Sequence, residues 1–252
     1  MDSSKRIILI TGANAGIGYD ASAHLAVASR NNHVIMCVRS LSKGEAALKE
    51  IKAKNPAGTL SLLELDVTSD ASIAAAAAKI GTDFGRIDVL INNAGIARPA
   101  KAATREILRE TFETNVFGVM ILTQQLEPFL RISKDPRIIN VSSGLGSISM
   151  RADPNGEYYN HPTDTYRMSK AALNMLTTCQ SFAFKDFGAR VWSYCPGFVV
   201  TDLTGKDDRQ RRIDMGAESS ETSAVGIVEI VEGKRDVETN KFIQRYGKQW
   251  DW

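Results

Sequence analysis

The chain is poor in the residues that build disulfide frameworks and metal sites, with 3 cysteines and 3 histidines in 252 residues. Cys37, Cys179 and Cys195 are odd in number, widely spaced and never arranged as C-x-x-C, which argues against a disulfide scaffold and fits buried thiols in a reducing compartment. His24, His33 and His161 show no H-E-x-x-H and no Cys or Asp companions at ligand spacing, so no metal site is expected. The apolar segment Arg6-Ile7-Ile8-Leu9-Ile10 is far too short to span a bilayer, and with only a few polar residues before it no targeting peptide is expected. Gln249-Trp250-Asp251-Trp252 matches no lipidation or retention signal. The expected address is cytoplasmic, with no membrane partner. An excess of charge of one sign is also missing: 31 basic against 29 acidic residues leave +2, too little and too dispersed for a nucleic-acid surface. No repeat, Pro/Gly linker or charge block interrupts the chain, so residues 1–252 read as one domain.

The hydrophobic fraction of 43% and charged fraction of 24% are those of a soluble globular protein. Runs rich in Val, Ile and Leu recur at Arg6–Thr11, His33–Arg39, Leu60–Asp66, Ile87–Asn92, Arg137–Ser142 and Arg190–Cys195, and Lys241–Tyr246 can add a last strand. Helix-length stretches separate them, which is the alternation of βαβ units. Because the runs are nearly continuous in apolar character, they suit strands covered on both faces. The fold expected is α/β, a Rossmann-type doubly wound parallel sheet flanked by helices. Ser42 with Glu45 resembles a capping box before Lys43–Ala53, and Asp70 precedes the Ala-rich Ala71–Ile80. Two stretches break the pattern, around 144–163 and 203–216, and both read as loops or short helices near a site or as surface insertions.

Directly after the first run comes Thr11-Gly12-Ala13-Asn14-Ala15-Gly16-Ile17-Gly18, followed by the helical stretch Tyr19–Arg30. A turn from strand into helix exposes unpaired N–H groups at the positive end of the helix dipole, and glycines let a pyrophosphate approach the backbone. At the end of the second run, folds of this kind that take NAD place a carboxylate for the ribose hydroxyls; here the chain reads Cys37-Val38-Arg39-Ser40. Arg39 can instead form charge-assisted bonds to a 2′-phosphate, with Ser40 and Lys43 assisting, which favours NADP(H).

Tyr166 and Lys170 stand four residues apart at the start of a helical stretch through Phe184, so their side chains share a face. A phenol ordinarily loses its proton near pH 10, and a nearby ammonium favours the phenolate. On this reading Lys170 tunes Tyr166 downward.

Taken together, these motifs resemble the short-chain dehydrogenase/reductase family, over the whole span from residue 11 to residue 201. Thr11–Gly18 is similar to its T-G-x-x-x-G-x-G, Leu65-Asp66-Val67 to its adenine segment and Asn92-Asn93-Ala94-Gly95 to its N-N-A-G. Asn115 resembles its relay asparagine, Asn140-Val141-Ser142-Ser143 its serine-bearing strand end, Tyr166–Lys170 its Y-x-x-x-K, and Pro196-Gly197-Phe198-Val199-Val200-Thr201 its P-G-x-x-x-T. The resemblance implies that Tyr166 is the general acid, Ser143 binds the carbonyl oxygen, Lys170 lowers the phenol pKa and holds the nicotinamide ribose, and Asn115 positions a relay water. It implies dinucleotide contacts from Gly12, Asn14, Gly16, Ile17 and Gly18, from Asp66 and Val67 at the adenine, and from Asn93, Ala94 and Gly95 beside the adenosine. Pro196, Gly197, Val199 and Thr201 would hold the nicotinamide, and Tyr166 and Lys170 would also touch the cofactor. Ser142 and Ser143 face opposite ways on a strand, and the family places its serine second in such a pair.

The function expected is NADPH-dependent, reversible reduction of a ketone or aldehyde of a small lipophilic molecule, with carbonyl-reductase-like members as the model and a natural-product tailoring step as one setting. A non-redox isomerase, dehydratase or cyclase, or an NADP-binding regulator, remains the alternative on the same fold. Between Ser143 and Tyr166 the chain is longer than compact members. Met150, Arg151, Tyr158, Tyr159 and His161 there read either as an aromatic wall for the substrate or as a packed surface loop. The segment 206–212 reads as a substrate lid or a solvated charged face. Homo-oligomer and monomer both stay open, since this insertion could cover the surface that relatives use for pairing.

Overall fold

The structure, a computed structural model, describes residues 4–98 and 102–252. The first half alternates β1 (Arg6–Thr11), α1 (Gly16–Ala28), β2 (Asn32–Val38), α2 (Leu41–Ala53), β3 (Thr59–Glu64), α3 (Asp70–Asp83) and β4 (Val89–Asn92). It continues through α4 (Arg105–Phe112), α5 (Gly118–Leu130), β5 (Arg137–Val141), α6 (Ile148–Ala152), α7 (Asp164–Ala183) and β6 (Arg190–Cys195). Then come α8 (Arg209–Asp214), α9 (Ser220–Val231), β7 (Phe242–Gln244) and β8 (Gln249–Trp250).

The strands form one sheet in the order β3-β2-β1-β4-β5-β6-β7-β8, parallel except where β8 runs back along β7. The fold is therefore the doubly wound α/β arrangement expected. Strand order reverses between β1 and β4, where the connections leave in opposite directions and open a crevice at the strands' carboxyl ends.

Side chains of β1 serve two cores alternately. Ile8 and Ile10 pack with Leu25 of α1 and Ile227 of α9, whereas Ile7 and Leu9 pack with Ile80 of α3 and Leu126 of α5. All seven residues of β2 are buried, which is why these strands read as apolar runs without alternation. Each such side chain contributes about 1.5–3 kcal/mol.

Local signals placed some ends differently from the chain's actual ones. Helix α2 starts before Ser42, and its N-cap Ser40 makes no side-chain capping bond, so the Ser42/Glu45 box is not used. Ser69, not Asp70, caps α3 by accepting from the Ser72 amide at 3.3 Å. Strand β8 carried no sequence signal; it exists because β7 offers an edge to the returning chain.

Candidate active site

The crevice is built where β1 runs into α1. The Thr11 hydroxyl accepts from the Asn93 and Ala94 amides, both at 2.9 Å, and Asn93 Nδ2 donates to the Thr11 carbonyl at 2.8 Å. These bonds tie the carboxyl ends of β1 and β4 together. Gly18 sits inside this lacing: a Cβ there would lie 2.5 Å from both Asn93 Nδ2 and the Gly12 carbonyl oxygen. Its role is close packing, and it does not line the groove.

A groove of about 310 Å³ follows the strand ends. Arg39, Asp66 and Val67 lie at one end; Gly12, Asn14, Gly16 and Ile17 run along it; Asn93, Ala94 and Gly95 border it. Tyr166, Lys170, Pro196 and Thr201 lie at the other end. Helix α1 has no side-chain cap and no acidic residue in its first turn, so its leading N–H groups remain for an anion. Gly12, with φ of 66°, brings its backbone so close to Ala94 that a Cβ would stand 3.2 Å from Ala94 Cα. A groove of this length, with an anion cradle in its middle, fits a nicotinamide dinucleotide. At its adenosine end, Arg39 is exposed and has no ion pair among the described residues. Asp66 is held by Thr68, whose amide and hydroxyl both donate to Asp66 Oδ1.

Tyr166 and Lys170 face the same end of the groove, and the Lys170 Nζ lies 5.7 Å from the centre of the Tyr166 ring. The ammonium donates to the Val141 carbonyl at 2.7 Å, which anchors it to the end of β5. Burial pushes Lys170 down to about 8. Burial also pushes the Tyr166 phenol up, and the Cys195 thiol adds to this; Ser143 and Arg212 pull the other way. For both residues burial is the largest cause of the shift, and it disfavours the charged form of each. The two serines diverge. Ser142 Oγ donates to Asn174 Oδ1 at 2.6 Å inside the α7 packing, whereas Ser143 stands beside the phenol.

Several expected residues lie off the groove. Asn115, fully buried in a π-helical turn at Glu113–Phe117, spends its amide on Ile96 and Ser169: Nδ2 donates to the Ile96 carbonyl and to Ser169 Oγ, and Oδ1 accepts from the Ile96 amide. Its side chain clamps the segment after β4, with both kinds of amide atom engaged there. Gly197 backs onto the Arg245 guanidinium, 2.4 Å from where a Cβ would be. Val199 is buried, and its carbonyl accepts from Arg212. Ser40 bonds Ser42 at 3.2 Å, outside the groove. Ala15, Leu65, Thr68, Ile96, Thr114 and Leu203 line the groove without having been singled out. All but Leu203 flank or fall within recognised motifs, Thr114 as the neighbour of Asn115, so proximity to a motif was their available signal.

A second cleft, of about 1090 Å³, adjoins the groove, and among the described residues Tyr166 lines both. Ala97, Phe198 and Met215 give it apolar wall; His161, Arg211 and Arg212 give it polar wall. The aromatic wall expected from the insertion is not formed. Of its singled-out residues His161 lines the cleft, while Tyr158 packs on Gly144 and on Trp250, with ring centres 6.3 Å apart. The cause is the C-terminal strand, which sequence reading did not connect to the site. Ser147 Oγ donates to the Asp251 carbonyl and the Ser149 amide to that of Trp252, so the tail straps the insertion. Trp250→Ala should expose the 150–160 segment to limited proteolysis at lower protease doses than wild type. An unchanged digestion pattern would remove the tail from this role.

The segment 206–212 divides between its two readings. Arg209 and Arg211 are 52% and 64% exposed and pair with Asp202 and Asp208, as a solvated face would. Arg212, 12% exposed, turns into the cleft. Phe117 and Met120 near and on α5, with Met168, Met175 and Phe182 on α7, remain exposed, so the insertion does not cover that face. Among the described residues there is no group of three or more His, Cys, Asp or Glu side chains that could hold a metal, and no helix long and apolar enough to cross a membrane.

Residues 6–212 match the family model described as short chain dehydrogenase. The short-chain dehydrogenase anuI of Penicillium roqueforti is 38% identical over 231 residues, covering 89% of this chain and 88% of that one. The (-)-isopiperitenone reductase of Mentha piperita is 30% identical over 278 residues, covering 81% and 87%. Among solved structures, the NADPH-bound carbonyl reductase from chicken fatty liver superposes with a TM-score of 0.84 at 32% identity, covering 98% of this chain and 99% of that one.

Proposed function

Because this chain belongs to the short-chain dehydrogenase family, we propose that it is an NADPH-dependent carbonyl reductase acting on a ketone or aldehyde of a small lipophilic molecule. The family is one of oxidoreductases that use a nicotinamide cofactor on alcohol and carbonyl groups. The observation that carries the finer reading is the junction of the two clefts at Tyr166, with Ser143 and Lys170 beside it. A substrate in the larger cleft would present its carbonyl to the phenol where the two clefts meet, and a reduced nicotinamide bound in the groove would supply hydride.

The protein's residues do the rest. Tyr166, kept protonated by burial, donates its proton to the developing alkoxide, and Ser143 holds that oxygen in line. Lys170 carries positive charge at the ribose end of the groove while anchored on Val141. Asn115 acts as a positioning residue, fixing the Gly95–Ile96 segment that borders the groove. The apolar wall of Ala97, Phe198 and Met215 supports a lipophilic substrate, and a natural-product tailoring step is the setting we assign to it. Incubation with NADPH and a panel of aldehydes and ketones tests this reading. Turnover is expected; dinucleotide binding with no carbonyl reduced and no net cofactor oxidation would overturn it.

Arg39 is the basis for preferring NADPH. Arg39→Asp should lower the ratio of kcat/KM with NADPH to that with NADH by about 10–100-fold, the worth of one or two charged hydrogen bonds to the 2′-phosphate. An unchanged ratio would take Arg39 out of the site.

A further inference from the structure

Arg212 is placed unlike the other cations of its segment. Its Nε and NH2 groups donate to the Val199 carbonyl at 3.1 and 2.9 Å, and its guanidinium lies 5.0 Å from the centre of the Phe198 ring. These contacts pin it to the wall of the substrate cleft, next to apolar surface. NH1 reaches Thr204 Oγ1 at 3.3 Å. The nearest carboxylate, Asp208, is 3.9 Å away and is already held by Arg211 and by the Thr204 hydroxyl. Arg212 is thus a largely desolvated cation whose donor fork is only partly spent; Asp208 pairs with it at 3.9 Å, and among the described residues no carboxylate hydrogen-bonds to it.

The cleft is lined by Arg98, Arg211 and Arg212 and by Asp164, Asp207 and Asp208, so what matters is which of these charges are already engaged. His161, which lines the same cleft, has its imidazole pKa pushed down by burial and by Arg167, Arg211 and Arg212. Arg167, 5% exposed, donates to the backbone carbonyls of Leu145, Tyr158 and His161 and pairs with no carboxylate among the described residues. Asp164 is engaged by Arg151 at 3.5 Å, and Asp207 is exposed. Arg212 and Tyr166 line one cleft and bias each other's ionisation, so the guanidinium lies within electrostatic reach of the reacting phenol.

We propose that Arg212 is a substrate anchor, and that the carbonyl compound taken by this cleft carries an anionic oxygen, a carboxylate or an ionised phenol, which closes on the open part of the guanidinium fork. The proposal deepens the reductase reading and rests on it for the carbonyl. Binding of such an anion also completes the neutralisation of a buried charge, which a neutral substrate leaves undone.

Calorimetric titration with acetylbenzoate and with its methyl ester, on protein with and without NADP⁺, tests it. The acid should bind the wild-type protein about tenfold more tightly than the ester, as one charge-assisted pair provides. Arg212→Met should bring the two within about twofold of each other, while Arg212→Lys, which keeps the charge but loses the bidentate fork, should retain part of the preference. A merely structural clasp would weaken both ligands together and leave their ratio unchanged. Equal binding of acid and ester by wild type, or a preference that survives Arg212→Met, would overturn the anchor. If the preference is present and Arg212-dependent but NADPH reduces neither compound nor any other carbonyl, the anchor stands and the reductase reading falls. NADP⁺ affinity in the same titrations reports that each variant is folded.

Discussion

Tyr166→Phe is expected to lower kcat for carbonyl reduction by about 10²–10⁴-fold, the contribution of a positioned general acid, while dinucleotide affinity falls by no more than about fivefold, the worth of one hydrogen bond. The separation matters because Tyr166 belongs to both clefts. Removing only its hydroxyl leaves the ring that divides them. Burial holds this phenol in its protonated form, which suits donation to an alkoxide at neutral pH. Steady-state kinetics together with a titration of NADPH binding read the two quantities. Comparable losses in both would make Tyr166 a binding residue, and retained kcat would require another proton donor.

Lys170→Met is expected to be equally damaging to turnover, by about 10²-fold or more, and to leave a distinctive mark on stability. In the folded protein Lys170 titrates near 8, below the usual lysine value, because burial disfavours its charge. Between about pH 8 and pH 10.5 the unfolded chain keeps this proton and the folded one does not, so wild-type stability rises with pH across that window. Below pH 8 both states carry the proton and the full cost of the buried charge is present, roughly 3 kcal/mol, partly offset by the bond to Val141. The methionine variant lacks the titrating group. The difference in stability, wild type minus variant, should therefore be flat below pH 8 and climb toward pH 10.5. Urea denaturation of both proteins over this range measures it, and a difference that is constant or falls with pH would contradict the burial of the ammonium. The same proton explains an expected decline of reductase activity above pH 8, where Lys170 loses its charge while Tyr166 is still protonated.

Both predictions concern residues that the sequence could nominate because their relation is local. A helical repeat places positions four apart on one face whatever the rest of the chain does, so Tyr166 and Lys170 were legible together. The glycine-rich turn was legible for a similar reason, since it lies between a run of strand character and one of helix character. What each member does was not equally legible. Gly12, Gly16 and Ile17 border the groove, but Gly18 serves packing against Asn93, a residue far along the chain. Asn115 matched a motif, and its amide turns out to be engaged by Ile96 and Ser169. A motif gives a residue's position and type; the saturation of its hydrogen bonds depends on neighbours brought in by other elements.

The sequence by itself determined the parallel sheet, through apolar runs that make sense only between two layers of helices, and it determined the strand ends and the Tyr166–Lys170 pair that border the groove. Tertiary structure alone decided the character of the substrate cleft. It set Tyr158 against Trp250 rather than in the cleft wall, strapped the insertion with the C-terminal tail, and drew Arg212 inward while leaving Arg211 in solvent. The physical reason is that irregular segments have no periodicity to read: their side chains are oriented by contacts between residues tens to more than a hundred positions apart, and the balance of burial against charge that fixes each one exists only once those segments have met.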